Sequence, residues 1–162
     1  MGSRSGDLDP SVVTYIMQKD SLTAEEVENR LNKESGAYGI SSVSLDFRDI
    51  EAEAEAGGQH AKLALDIFHD SVASYIAKCM VTMQGADVIT FTAGVGEKGD
   101  LSRKAICDKL EIFGVKLDEE KNKVKGEEAL ISTNDSKIDV YVIPTNEELM
   151  IARETMKHLG RS

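Results

Sequence analysis

Phe91-Thr92-Ala93-Gly94-Val95-Gly96-Glu97 follows a short apolar run, residues 87–92, and precedes a helical pattern that starts near Asp100. That order predicts a strand, a glycine turn and then a helix. A turn of this kind brings backbone N–H groups close to a ligand and aims a helix N-terminus at it, which suits a phosphate. Many glycine turns merely join a strand to a helix, so this run by itself leaves both readings open.

Downstream, Leu101, Ala105, Leu110 and Phe113 share one face of a helix expected over 100–113, with Gly114 as its stop. A charged loop over 118–128 leads to a short strand near 129–132 and a second at 138–143, which Pro144 ends. Thr145-Asn146-Glu147-Glu148 has the form of a capping box, opening a last helix on which Leu149, Ala152, Met156 and Leu159 align. Strand–helix–strand–helix predicts parallel pairing of the first and last strands, with helices covering the sheet.

Upstream the pattern is helical. Asp9 before Pro10 is an N-cap followed by proline at the first helical position, and Val12, Val13, Ile16 and Met17 supply a short apolar face. Thr23-Ala24-Glu25-Glu26 is a capping box, and Val27 and Leu31 continue that helix. Residues 35–42 break the pattern and read as a loop. Residues 49–56 alternate Glu and Ala, a solvated helix face that Gly57-Gly58 ends. A long helix over 59–84 places Leu65, Phe68, Val72, Ile76, Cys79 and Met83 along one stripe. Leu63, Ile67, Tyr75 and Met80 widen it, so the helix packs on two sides, and Gly85 sits where a C′ residue is expected.

With 162 residues the chain can bury one ordinary core, and its 41% hydrophobic and 30% charged residues are those of a folded protein. The formal net charge of −10 argues against nucleic acid and against anionic membrane surfaces as partners. It leaves room for an anionic small molecule, because a glycine turn and a few arginines can oppose the global field locally. No apolar run reaches the length needed to span a bilayer, and no signal peptide is visible. Cys79 and Cys107 read as buried, reduced thiols, with no C-x-x-C or zinc spacing. His60, His69 and His158 read as surface or cap residues with no metal cluster, and the whole points to the cytoplasm.

Three further stretches extend the argument. Met1-Gly2-Ser3-Arg4-Ser5-Gly6-Asp7-Leu8-Asp9-Pro10, Ser44-Leu45-Asp46-Phe47-Arg48-Asp49-Ile50 and the segment from Ile143 to Arg153, together with the glycine turn, resemble the carboxy-terminal part of acetate kinase. The resemblance runs in the family's order and spacing to about Leu159. It implies an α/β fold: a partial RNase-H-like lobe of the actin, sugar-kinase and heat-shock-ATPase type. The closing βαβα would occupy 87–159, and a mainly helical insertion 1–86. The family's enzymes are more than twice this length, so the resemblance also implies that the first lobe and the opening antiparallel strands of the second lie upstream of Met1. Either Met1-Gly2-Ser3 is a tag remnant or the chain starts at an internal methionine.

The family's activity, phosphoryl transfer between ATP and a carboxylate, requires charge neutralisation, magnesium and in-line placement of donor and acceptor. The resemblance implies that Arg4 stabilises the transferring phosphoryl group and the acetate carboxylate. A residue four from the start is otherwise an ordinary surface arginine. It implies that Asp46 hydrogen-bonds the ribose while Phe47 and Arg48 pack against the adenine; helix capping by Asp46 with an incidental ion pair is the alternative. Leu45 and Ser42 stand where the family has a small polar residue and a glycine. Gly94, Val95 and Gly96 match the nucleotide loop, but Lys98 replaces an asparagine that helps recognise adenosine, losing an acceptor and adding charge. Glu147 matches a magnesium-linked glutamate, and is otherwise a second-position residue favoured by the helix dipole.

Two functional expectations stand together. The chain is part of an acetate kinase that makes acetyl phosphate and ADP from acetate and ATP with magnesium, inactive until joined to the other lobe. Alternatively it is a non-catalytic nucleotide-binding or self-associating remnant of a truncated gene. A homodimer is expected from the family and from an unpaired sheet edge, and a separate chain could supply the missing lobe. Acyl preference among acetate, propionate and butyrate is not legible.

Overall fold

A computed structural model of the chain describes residues 1–160, which form two compact units, Met1–Ile76 and a second that begins at Ala77. In the first unit, α1 (Pro10–Asp20) starts as expected: the Asp9 carboxylate accepts from the Ser11 N–H at 2.9 Å, and the helix closes on Ser21 in the left-handed region. Helix α2 (Ala24–Lys33) has the complete capping box. Thr23 Oγ1 accepts from the Glu26 N–H at 3.3 Å, and the Glu26 carboxylate accepts from the Thr23 N–H at 2.7 Å.

Residues 35–42 depart from expectation. Instead of a loop they contain a short helix, α3 (Gly36–Ser41), whose N-cap residue Ser35 makes no side-chain cap bond. The orphan amides are met from a distant part of the chain: Ala37 N–H donates to the Met1 carbonyl at 3.0 Å and Tyr38 N–H to the Gly2 carbonyl at 2.9 Å. A cap supplied by a remote segment leaves no local sequence signal.

Helix α4 (Phe47–Glu55) buries Ile50 and Ala54 while its glutamates keep to more accessible positions. Helix α5 (Gln59–Met83) spans 25 residues and contributes to both units. Its deepest face is not the expected stripe of large residues. Ala61, Ala64 and Ala73 are buried, whereas Leu65, Phe68, Val72 and Ile76 are half-buried and Met83 is exposed. Ala61 and Ala64 cluster with Ala37, Ile50 and Ala54, so small side chains admit α3 and α4 close to α5. Two further expectations are corrected here. Cys79 is exposed rather than buried, and His69 is buried rather than at the surface, edge-on to Phe68 with centroids 5.8 Å apart. The left-handed residue that ends α5 is Gln84 (φ 60°), one position ahead of Gly85.

The second unit holds a three-stranded sheet in the order β1–β3–β2. Strands β1 (Val88–Phe91) and β3 (Asp139–Val142) are parallel, with Val88 opposite Asp139 and Phe91 opposite Val142. Strand β2 (Ala129–Leu130) is antiparallel to β3. Burial alternates, with Ile89, Phe91, Val140 and Val142 inward and Val88, Thr90 and Asp139 outward, as the pleat dictates. The predicted pairing of first and last strands is therefore present.

The run after β1 is not a plain turn. Ala93–Lys98 forms a short helix, α6, and Gly99 separates it from α7 (Asp100–Lys109). Helix α7 ends before 113, and residues 111–113 form a 3-10 turn that Gly114 closes in the left-handed region. Burial pushes the Cys107 thiol on α7 up to about 12, so it is an inert packing residue. The last helix, α8 (Glu147–His158), buries none of its residues. Among the described residues no helix is long and apolar enough to cross a membrane.

Candidate functional site

Arg4 lies in an irregular segment that is pinned by its backbone. Ser35 N–H donates to the Ser3 carbonyl at 2.9 Å and Ser5 N–H to the Leu31 carbonyl at 2.8 Å, alongside the two bonds that cap α3. The segment passes so near Gly36 that a Cβ there would meet the carbonyl oxygens of Met1 at 2.6 Å and Arg4 at 2.7 Å. Gly36 also has φ +61°, so only glycine fits without strain. The Arg4 side chain is exposed, and its guanidinium has no partner among the described residues. Beyond it, the Tyr75 hydroxyl on α5 donates to the Asp7 carboxylate, which raises the Tyr75 pKa.

In the same unit Asp46 caps α4. Its carboxylate accepts from the Arg48 N–H at 3.0 Å and from Arg48 Nε at 3.0 Å, and a second guanidinium nitrogen closes the pair. These hydrogen bonds hold Asp46 at about 2, well below the ordinary carboxylate range. The Arg48 side chain is 87% exposed, so its in-plane fork is occupied while its flat faces remain open. Phe47 is half-buried and packs on Phe68, ring centroids 4.5 Å apart. The observed geometry is thus cap plus ion pair, with Phe47 packed on its own core.

In the second unit, Gly94 and Gly96 do different jobs. A Cβ added at Gly94 would meet nothing within 4 Å, so this face of the helix is open. A Cβ at Gly96 would lie 3.3 Å from the carbonyl carbon of Phe91, so glycine lets α6 sit directly on the end of β1. Ala93 enters the helix at φ 60°, a strained conformation for a residue with a Cβ. Val95 is half-buried, and Lys98 is exposed, its side chain making no hydrogen bond or ion pair among the described residues.

Two side chains absent from the sequence-based set fix this region. Glu97 accepts from the Thr145 N–H and hydroxyl, each at 2.7 Å, which holds its carboxyl below the usual range. Thr145 is therefore not the cap of α8. Asn146 is the cap, accepting from the Leu149 N–H at 3.0 Å, so the expected box over 145–148 does not form. The tether fixes the residue two positions before α8 to α6, and Glu147 opens that helix. The Glu147 carboxylate is exposed and has no partner among the described residues. The second side chain, Arg103, is fully buried, and one of its nitrogens donates to the Gly96 carbonyl at 2.8 Å. Glu97 could have been suspected from its place after Gly96. Arg103 carries no local signal.

Among the described residues no cluster of three or more His, Cys, Asp or Glu side chains could hold a metal alone. A single exposed carboxylate such as Glu147 has the hard oxygen chemistry of a magnesium ligand, for an ion that keeps most of its ligands as water and phosphate.

The acetokinase family model matches residues 1–153. The acetate kinase of Carboxydothermus hydrogenoformans is 57% identical over 157 residues, covering 97% of this chain and 39% of that protein. The crystal structure of Porphyromonas gingivalis acetate kinase superposes with a TM-score of 0.91 at 40% identity, covering 98% of this chain and 40% of that one. A propionate kinase from Francisella tularensis gives a TM-score of 0.88 at 40% identity, covering 95% and 39%. The chain spans about two fifths of the length of the relatives it matches.

Two outcomes follow from this geometry. Gly36→Ala places a methyl group against three carbonyls in the left-handed region and should destabilise the first unit by about 2 kcal/mol. Trypsin should then cut after Arg4 faster than in the wild type, and an unchanged cleavage rate and urea midpoint would exclude the brace. For Glu97, the folded carboxyl sits below its ordinary value of 4.5, so its stabilising contribution is full above that value and is lost as pH falls through the lower folded one. The urea midpoint of the wild type should therefore converge on that of Glu97→Gln on acidification below about pH 4.5. Parallel curves would show that the tether contributes nothing.

Proposed function

Since the chain belongs to the acetokinase family, we propose that it is the carboxy-terminal, nucleotide-side portion of an acetate kinase, which transfers a phosphoryl group between ATP and acetate. The observation that carries this reading is the open face of Gly94, backed onto β1 by Gly96 and tethered through Glu97 and Thr145 to the helix that bears the unpaired Glu147. Around the glycine face, Gly94, Val95 and Gly96 receive the nucleotide and Lys98 lies beside it. Glu147 holds magnesium, directly or through water. Bound magnesium would supply charge neutralisation on the phosphates.

In the first unit, Arg4 keeps its fork free for a carboxylate or phosphoryl oxygen, as this chemistry requires. Asp46 keeps acceptor capacity for a ribose hydroxyl. By pairing in plane with Arg48 it leaves a flat guanidinium face on which a base can stack. Phe47 completes that surface only by turning away from Phe68. The free thiols of Cys79 and Cys107 suit a cytoplasmic setting.

As an isolated polypeptide the 162 residues bind nucleotide weakly and do not turn over, because groups that act in concert lose orders of magnitude in rate when most are absent. A non-catalytic nucleotide-binding role is the second reading, and Lys98 in place of an asparagine favours it. Calorimetric titration with ATP and magnesium should show weak binding. Lys98→Asn, restoring a hydrogen bond of about 1 kcal/mol, should tighten it roughly fivefold. No heat with either protein would remove the nucleotide reading, and acetyl phosphate formation that Arg4→Ala abolishes would remove the claim of inactivity.

We extend the proposal to a homodimer. Strand β1 has one sheet neighbour among the described residues, and Val88 on it and Leu149, Met150, Ile151 and Leu159 in and after α8 are exposed. Light scattering should give at least twice the chain mass, and a clean monomer at high concentration would exclude self-association.

A further inference from the structure

Arg103 is 0% exposed, yet none of its hydrogen-bond partners is a carboxylate. Nε donates to Asn122 Oδ1 at 2.8 Å, one terminal nitrogen to the Gly96 carbonyl at 2.8 Å, and the other to the carbonyls of Asn122 and of Val124, the latter at 2.9 Å. Four of the five guanidinium N–H groups are thereby used. Asn122, itself buried, turns its amide nitrogen to the Asp100 carbonyl at 2.8 Å, so the network closes on the start of α7.

A buried cation that meets only backbone and amide oxygens is a demanding arrangement. Removing the charge from water is costly, and it is tolerable only while every donor keeps its acceptor. The position of the Gly96 carbonyl is therefore set by the guanidinium as much as by the short helix that contains it. A helix of six residues with two glycines has little cohesion of its own, and the first of those residues is strained. Something outside α6 must hold it.

We propose that Arg103 is a positioning residue for the nucleotide turn: by fixing the Gly96 carbonyl from beneath, it sets the backbone conformation through which Gly94 meets its ligand. The inference rests on the nucleotide reading of that turn, but the bracing can be measured without nucleotide. Lysine cannot substitute, because one ammonium has three donors on a point charge and cannot span acceptors supplied by residues 96, 122 and 124.

The test follows amide hydrogen exchange by NMR in the 162-residue chain carrying Arg103→Lys. Amides over 94–99 should exchange at least tenfold faster than in the wild type, while those of Val140 and Val142 in β3 keep their protection. The dissociation constant for ATP with magnesium should rise by a similar factor. Leu110→Ala, after α7 and away from the Gly96 carbonyl, is the structural control: it lowers the urea midpoint but should leave both readings unchanged. In Arg103→Ala, millimolar guanidinium should restore protection over 94–99 where methylammonium does not. Should Arg103→Lys fail to fold, Asn122→Ser takes away the Nε acceptor while keeping the cation, and should give a smaller acceleration confined to the turn. Unchanged exchange over 94–99, or an acceleration spread evenly through β3, overturns the proposal. If the wild type binds no nucleotide while exchange responds as described, the nucleotide reading fails and the bracing role stands.

Discussion

A charge held out of water organises the second unit. The Arg103 guanidinium has been stripped of solvent, and burial pulls its pKa below the ordinary arginine value while Asp100 pulls it back. Arginine stays protonated over any working pH, so the only way to accommodate it is to bring oxygens to it. The chain does so with carbonyls from α6 and from the 3-10 turn at Lys121–Lys123 and its flank, two stretches about twenty-five residues apart. Their meeting point is the Gly96 carbonyl. From there contacts run outward: Gly96 rests on Phe91 at the end of β1, and Glu97 reaches Thr145 at the approach to α8. The sheet, the glycine helix and the last helix are registered to one another through Arg103, Gly96, Glu97 and Thr145.

The first unit solves a similar problem with uncharged groups. There the backbone of residues 1–5 is the ligand of a helix N-terminus, and its carbonyls replace the side-chain cap that Ser35 does not provide. The arrangement requires a glycine at position 36 because three carbonyl oxygens crowd the place where a Cβ would be. In both units the main chain is fixed by neighbours, while Arg4 in the first and Glu147 and Lys98 in the second are exposed ionic side chains with no ion-pair partner among the described residues. Asp46 and Arg48 differ: each already satisfies the other, so a ligand must use what the pair leaves over.

The sequence was informative wherever structure is decided within a few residues. Asp9-Pro10, the box at Thr23 to Glu26 and the strands expected within 87–92 and 138–143 all formed as read, because each depends on local bonds or on a short apolar run. It failed where a remote group outcompetes the local one. Thr145 has the spacing of a helix cap, yet Glu97, forty-eight residues away, takes both its donors. Residues 35–42 have the glycines of a loop, yet the carbonyls of Met1 and Gly2 make them helical. On α5 the largest apolar residues suggested the buried face, but close approach of neighbouring helices selects alanine, so Ala61 and Ala64 lie deepest and Cys79 faces solvent. Arg103 was unreadable in principle. Among Ser102, Lys104 and Asp108 it looks like any solvated helix charge, and only the folded chain removes its water.

Lys98 shows how little of recognition a motif fixes once the backbone is set. The glycine face and its supports are indifferent to which side chain follows Glu97, so the fold carries lysine there as readily as asparagine. A ligand bound at this face would not be indifferent. An amide offers a donor and an acceptor in fixed directions and so selects the edge of a base or sugar, whereas an ammonium is a compact charge with no acceptor. In a chain of net charge −10, an unpaired cation at the glycine face opposes the overall field over about one Debye length, roughly 8 Å at physiological salt. Replacing the amide therefore exchanges a directional contact, largely insensitive to salt, for a salt-sensitive attraction to anions of any shape.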